Sequence, residues 1–276
     1  MYNLIRVLVL LYFSAGVCQT VAAGEVSSDR DGYILFSGEI KKGDAEKLAK
    51  AFINVKNSHN VLWLDLNSPG GDVNEAMKIT ALSKALNLST NIRPGGICAS
   101  ACFFIFLAAN QHVADGDGVQ YAEGYQPLGK VGLHRPYLRV ESNSKRNTAD
   151  SIQRQSELML KMTEYLRKES VPQRLIDIMM SHPSNDIYWM THNDLQELGS
   201  YSHGFEELII ARCGYSRHLS SDLWNEQHSQ DSNEVAIGIA KQQEFTKCLV
   251  SEFPDLKEEM LKNLEKLRKG WRPWNT

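Results

Sequence analysis

Three short stretches carry side chains whose chemistries could combine. Residues 98–102 read CASAC, with Ser100 between two alanines. Residues 67–71 read NSPGG, so Gly70 and Gly71 follow a proline, and residues 131–136 read VGLHRP, with His134 ahead of Pro136. A serine becomes a nucleophile when a base takes its proton, and near neutral pH histidine is the usual base. A third group must then orient the imidazole. Paired glycines let the backbone approach a ligand and present N–H groups to it. Each residue also has a plain structural reading. Ser100 could cap a helix, the glycines could form only a turn, and His134 could simply end a strand.

These residues need elements that hold them. Tyr33 to Gly38 reads as a strand, followed by a helix from Gly43 through Val55 with Ala45, Leu48, Ala49, Phe52 and Ile53 on one face. Val61 to Leu66 is nearly all apolar, as a strand covered on both faces must be. The break at Asn67 to Gly71 leads to a helix ending near Leu86, with Asp72 as cap and Glu75 completing a capping box. A strand at Leu88 to Ile92, a turn at Pro94-Gly95-Gly96 and a buried helix from Ser100 to Ala109 follow. Further strands are expected at Gln111 to Ala114 and Lys130 to Leu133. Strand and helix alternate as in a parallel sheet with right-handed crossovers, where sites gather at the strands' C-terminal ends. The pattern is helical from Thr148 to about Met180, with Pro172 starting a second helix, and again from Asn233 to Leu267, interrupted at Pro254.

The chain has 276 residues, 42% of them hydrophobic, and a formal net charge of −3. That supports one sizeable core and excludes a polyanion-binding surface, so no nucleic-acid partner is expected, and no nucleotide motif occurs. Arg6 precedes an apolar run from Val7 to Val17 and the small residues Val21-Ala22-Ala23. This reads as a signal peptide, residues 1–23, cut after Ala23. An uncleaved membrane anchor is the alternative, and Ala15-Gly16-Val17 argues against lipid attachment at Cys18. Export leaves Cys98, Cys102, Cys213 and Cys248 in an oxidising compartment. Cys213 and Cys248 are expected to form a disulfide that staples the C-terminal region, with buried free thiols as the alternative. Cys98 and Cys102 are neighbours on one face if a helix runs through both. A disulfide within one helical turn must meet a narrow torsion, so they read as small packing residues. No clustered ligands suggest a metal, and no cofactor is expected.

SPGG before a helix, ASAC opening an apolar helix and HRP together resemble the Clp-type serine peptidases, which share the crotonase-like fold. The resemblance covers about Leu35 to Gly199. Ser100 follows Gly71 by 29 residues, the spacing of that family. The serine-to-histidine gap is longer here, the extra residues falling in the polar, glycine-rich stretch 115–129, where insertion costs little. With its leader, the chain is similar to secreted Clp-like proteins of bacteria. The resemblance implies an α/β fold of repeated β-β-α units wound into a superhelix. It also implies Ser100 as nucleophile, His134 as general base, and an oxyanion hole from the N–H groups of Gly71 and Ala101, with Gly70 beside the substrate. Asp186 best fits the third catalytic position. Asp177 and Asp194 stay open, although Asp194 is also explained as a first-turn residue of a helix capped by Thr191.

The expected organisation is therefore a leader, a Clp-like domain over residues 24–215, and a helical extension over 216–276, with a hinge near 216–233. The expected activity is that of a secreted or periplasmic ATP-independent serine peptidase. Its substrate would be a peptide or protein bound as an added strand, and the family implies a homo-oligomer. The alternatives are a noncatalytic envelope scaffold that kept the fold and, more remotely, an acyl-CoA enzyme.

Overall fold

The computed structural model describes residues 24–57, 61–114, 120–121, 124–125, 129–137, 148–214, 229 and 231–275. The expected leader and most of the expected hinge lie outside these residues. In chain order the elements begin with β1 (Glu25–Ser27), β2 (Tyr33–Ser37), α1 (Asp44–Asn54), β3 (Trp63–Asn67) and α2 (Val73–Ala85). Next come β4 (Ser89–Ile92), β5 (Ile97–Ala99), α3 (Ala101–Leu107) and β6 (Gln111–Ala114). A two-strand pair, β7 (Gln120–Tyr121) and β8 (Gly124–Tyr125), precedes β9 (Lys130–Leu133). Then follow α4 (Thr148–Lys168), α5 (Gln173–Ser181), β10 (Tyr188–Trp189), α6 (His192–Leu198) and α7 (His203–Cys213). The chain ends with α8 (Ser232–Glu252), α9 (Pro254–Arg268) and a 3₁₀ turn at Pro273–Asn275.

Two sheets carry the architecture. The larger has the order β1-β2-β3-β4-β6, parallel from β2 onward with β1 added antiparallel at the edge. The smaller has the order β10-β9-β5, with β5 and β9 parallel and β10 antiparallel to β9. They meet just past the C-terminal end of β3. There the Ser68 N–H donates to the Ile97 carbonyl at 2.7 Å, and the Ala99 N–H donates to the Ser68 carbonyl at 3.0 Å. The alternating strands and helices of the sequence therefore do make a parallel sheet. The three-residue strand β5 was not expected, because a turn signal and a helix signal surround it and leave no room for a period.

All seven residues of α3, ACFFIFL, are buried, as an all-apolar helix must be in a layered fold. The polar strand β4 is buried too, and its side chains find partners. Thr90 Oγ1 donates to the Phe106 carbonyl at 3.1 Å, and Asn91 Nδ2 donates to Asp65 Oδ1 at 3.2 Å.

The expected capping box of α2 is only half present. Asp72 accepts from the Glu75 N–H, but the Glu75 carboxylate turns to α1 instead. It accepts from Gly43 N at 3.0 Å and Ala45 N at 2.9 Å, because α1 starts at a left-handed glycine that has no side chain to cap it. Burial would raise the Glu75 carboxyl, but hydrogen bonds from Lys78, Ala45 and Gly43 outweigh this and hold it below the ordinary carboxylate range.

The expected C-terminal extension divides between two cores. Ile209 of α7, Phe245 of α8 and Phe253 form a small separate cluster. Cys213 and Cys248 are joined beside it, their Cα atoms 6.0 Å apart. Met260, Leu264 and Leu267 of α9 instead join the main core with Phe36, Leu64 and Phe103. Asn263 of α9 donates to the Ala85 carbonyl at 2.8 Å, closing the end of α2.

Candidate active site

Ser100 lies where β5 ends and α3 begins. Its backbone sits at φ 58° and ψ −124°, a conformation that a residue with a Cβ rarely takes. Its N–H donates to the Gly132 carbonyl at 2.9 Å. Its side chain makes no capping bond to α3, so the plain helix-cap reading does not describe it. Ser100 and His134 both line a cleft of about 220 Å³.

His134 arrives through strand register. Ala99 of β5 pairs with Gly132 of β9, so the residues following each strand, including Ser100 and His134, emerge at the same C-terminal edge. Gly132 must lack a side chain, since a Cβ there would stand 2.6 Å from Ile187 Cγ2 and 3.0 Å from Ala99 Cβ. The imidazole is 7% exposed and packs near Tyr137, with ring centres 5.9 Å apart. Its Nδ1 lies 3.0 Å from the Arg135 carbonyl. A carbonyl can only accept, so Nδ1 carries a proton; in the neutral ring this is the tautomer that leaves Nε2 the lone pair a general base needs.

The three candidate aspartates lie elsewhere. Asp186 has a side chain 71% exposed and stands 3.2 Å from His182 Nε2, not at His134. The cause is a tight turn in which the Asp186 N–H donates to the Pro183 carbonyl, pointing the side chain to solvent. Asp177 accepts from Gln173. Asp194 completes a capping box with Thr191 and also accepts from Arg174 and from the Tyr188 hydroxyl. Burial would raise its carboxyl, but hydrogen bonds from Arg174, Thr191 and Tyr188 bring it down to about 2. Among the described residues, no carboxylate is hydrogen-bonded to the His134 ring; the Arg135 carbonyl takes that place. Sequence reasoning missed this partner because a backbone oxygen has no residue-type signature.

Gly70 and Gly71 bring their backbone against Ser100. A Cβ on Gly70 would lie 2.6 Å from the Ala99 carbonyl oxygen, 2.7 Å from Ser100 Cβ and 3.0 Å from Ala101 N. The neighbours of Gly71 bond to Ile40: the Ile40 N–H donates to the Gly70 carbonyl at 2.8 Å, and the Asp72 N–H donates to the Ile40 carbonyl at 2.9 Å. The Gly71 N–H takes no part in that bridge, and Gly71 is among the residues lining the cleft. Ala101 is the first residue of α3, so its N–H has no acceptor within the helix. Gly71, Ser100 and Ala101 thus border one cleft.

Phe104, Val73 and Met179 give the cleft an apolar wall, and Glu39 stands in its lining. Among the described residues there is no group of three or more His, Cys, Asp and Glu side chains that could hold a metal ion.

The structure also corrects the reading of the two cysteines beside Ser100. Cys98 and Cys102 are not separate packing residues but a disulfide, with Cα atoms 5.2 Å apart. The objection to a disulfide within one helical turn does not apply, because Cys98 belongs to a strand and the chain reverses at Ser100.

The profile of the Clp protease family matches residues 25–174, more than half of the chain. The chain belongs to the Clp protease family. The match includes Ser100 and His134 and ends before Asp186. Similar solved structures include ClpP1 from Listeria monocytogenes, 18% identical, covering 60% of this chain and 86% of that one, with a TM-score of 0.41. A mutant of the 1510-N membrane-bound stomatin-specific protease is 16% identical, covering 68% of this chain and 87% of that one, with a TM-score of 0.42. No curated protein matches the chain. The fold is accordingly the Clp protease-like, crotonase-type α/β class with a helical C-terminal region, and a serine-peptidase-like function is the class of activity this family supports.

Proposed function

We propose that this Clp family member is an exported, ATP-independent serine peptidase that works with a serine–histidine pair. Ser100 passes its proton to His134 Nε2 while Oγ attacks the substrate carbonyl carbon. The oxyanion is received by the N–H groups of Gly71 and Ala101. His134 then protonates the leaving amine, and water repeats the sequence on the acyl-serine. The Arg135 carbonyl holds the ring's tautomer in the role first expected of Asp186. The observation that carries this reading is the β5–β9 register, which sends Ser100 and His134 to one edge, where Gly70 packs on the Ser100–Ala101 peptide.

Export is supported by the sequence of the leader and by two disulfides, which persist in oxidising compartments. Among the described residues no helix is long and apolar enough to cross a membrane. Homo-oligomerisation, carried over from the family, belongs to the same proposal. Ile152 and Leu160 of α4, 62% and 58% exposed, offer apolar surface for it.

One observation favours the noncatalytic binding protein instead, namely the lack of a carboxylate on the His134 ring among the described residues. A fluorophosphonate probe separates the two. The peptidase is labelled at Ser100, and both Ser100→Ala and His134→Ala abolish the label. A folded wild-type protein that stays unlabelled, and cleaves nothing in a mixed peptide library, removes the peptidase reading.

A further inference from the structure

We infer that the Cys98–Cys102 disulfide positions the nucleophile, holding the Ser100 backbone at its positive φ. This rests on the peptidase reading for its consequence in turnover, but not for its structural claim.

The two cysteines sit on arms that are already immobile. Cys98 pairs with Val131 in the β5–β9 ladder and bridges to Ser68 on its other side. Cys102 is the second residue of α3, and both cysteines are fully buried. The segment between them, Ala99-Ser100-Ala101, contains the nucleophile and one of the two oxyanion amides. Besides the close approach of Gly70, only hydrogen bonds keep the Ser100 φ at 58°. Its side chain makes no capping bond; its N–H donates to the Gly132 carbonyl at 2.9 Å and its carbonyl accepts from the Phe103 N–H at 3.0 Å, so two single hydrogen bonds hold its backbone. A residue with a Cβ relaxes from such a conformation unless its surroundings over-determine it. A covalent tie across the turn is such a constraint.

The tie is poorly suited to a global role. By loop closure, a bridge between residues four apart restrains the unfolded chain far less than one between residues 35 apart. What it restrains is local, and the local element is the catalytic turn.

The test compares the double variant Cys98→Ala/Cys102→Ala with wild type and with Cys213→Ala/Cys248→Ala, using a fluorophosphonate as probe. Loss of the brace is expected to lower the maximal inactivation rate about 100-fold while leaving the probe's half-saturation nearly unchanged, as misplacement of a reacting atom does. Loss of the distant disulfide should leave the inactivation rate unchanged while lowering the melting temperature more. A crystal structure of the double variant should show Ser100 relaxed to a negative φ. If the double variant does not fold, the folded Cys213→Ala/Cys248→Ala protein is treated with a phosphine in water, which reduces the one remaining bridge to two thiols and becomes the phosphine oxide. Labelling should fall, and return on reoxidation. An unchanged inactivation rate, or an unchanged Ser100 φ, overturns the inference. If wild type is not labelled at all yet Ser100 moves in the variant, the peptidase reading falls and the brace stands.

Discussion

A serine at φ 58° is held against its own sterics, at a cost of about 1–3 kcal/mol. The surroundings meet that cost with a glycine on one side and a disulfide on the other. Gly70 is the more testable neighbour. Gly70→Ala places a Cβ 2.6 Å from the Ala99 carbonyl oxygen and 2.7 Å from Ser100 Cβ, at a backbone φ of 98° that disfavours alanine. Displacing the Ser100–Ala101 peptide would misaim the proposed oxyanion donor, so on the peptidase proposal fluorophosphonate labelling should fall about 10²–10³-fold. Circular dichroism should show the helices intact. The converse applies to Asp186. Its side chain is exposed and paired with His182, so Asp186→Ala should leave the labelling rate of Ser100 unchanged. A loss as large as that of His134→Ala would show that Asp186 reaches the imidazole in the reacting state. Ser100 and His134 could be singled out as candidates because nucleophile and base chemistry belongs to few residue types. The group on the far side of the imidazole was not, because any carbonyl can serve.

At the scale of elements, β6 is locked by a histidine that must stay neutral. His112 is 4% exposed, and its Nε2–H donates to the Gly199 carbonyl at 3.0 Å. Burial lowers its pKa from 6.5 to about 4, outweighing the carbonyls that favour the charged form. The unfolded histidine binds a proton below about 6.5 and the folded one only below about 4, so between these values the unfolded state holds more protons. Stability therefore falls as pH drops through that window, by about 3 kcal/mol in all, and levels off below it. Urea melts from pH 7 to pH 4 should show this slope, and His112→Gln should flatten it. The cap of α1 is a second element-scale case. Glu75→Ala strands the Gly43 and Ala45 N–H groups, so unfolding free energy should drop by about 1–3 kcal/mol in a denaturant titration. Sequence placed Glu75 in the first turn of its own helix, and spacing alone cannot reveal that its carboxylate serves another.

For the whole molecule, the C-terminal helices have different duties. The Cys213–Cys248 bridge joins residues 35 apart, and loop-closure entropy assigns it about 3–4 kcal/mol. Its loss should loosen α7 and α8, seen as faster hydrogen exchange there, with the catalytic cleft unaffected. Helix α9 behaves otherwise, because Leu264 and Leu267 lie in the core that also holds the sheet. Leu267→Ala should lower global stability by about 2–5 kcal/mol in a single cooperative transition. Separate transitions for the sheet and the C-terminal helices would contradict this placement of α9.

Periodicity, glycine turns and the Gly71–Ser100 spacing were enough to read a Clp-like α/β architecture from this chain, since local sterics and the burial of apolar faces act over a few residues. Packing alone decided that α9 belongs to the main core. Tertiary contact also turned two apparent packing cysteines into a brace, sent Asp186 to another histidine, and handed the imidazole to a carbonyl. These outcomes depend on which groups meet across residues distant in sequence, and residue type and spacing carry no record of that meeting.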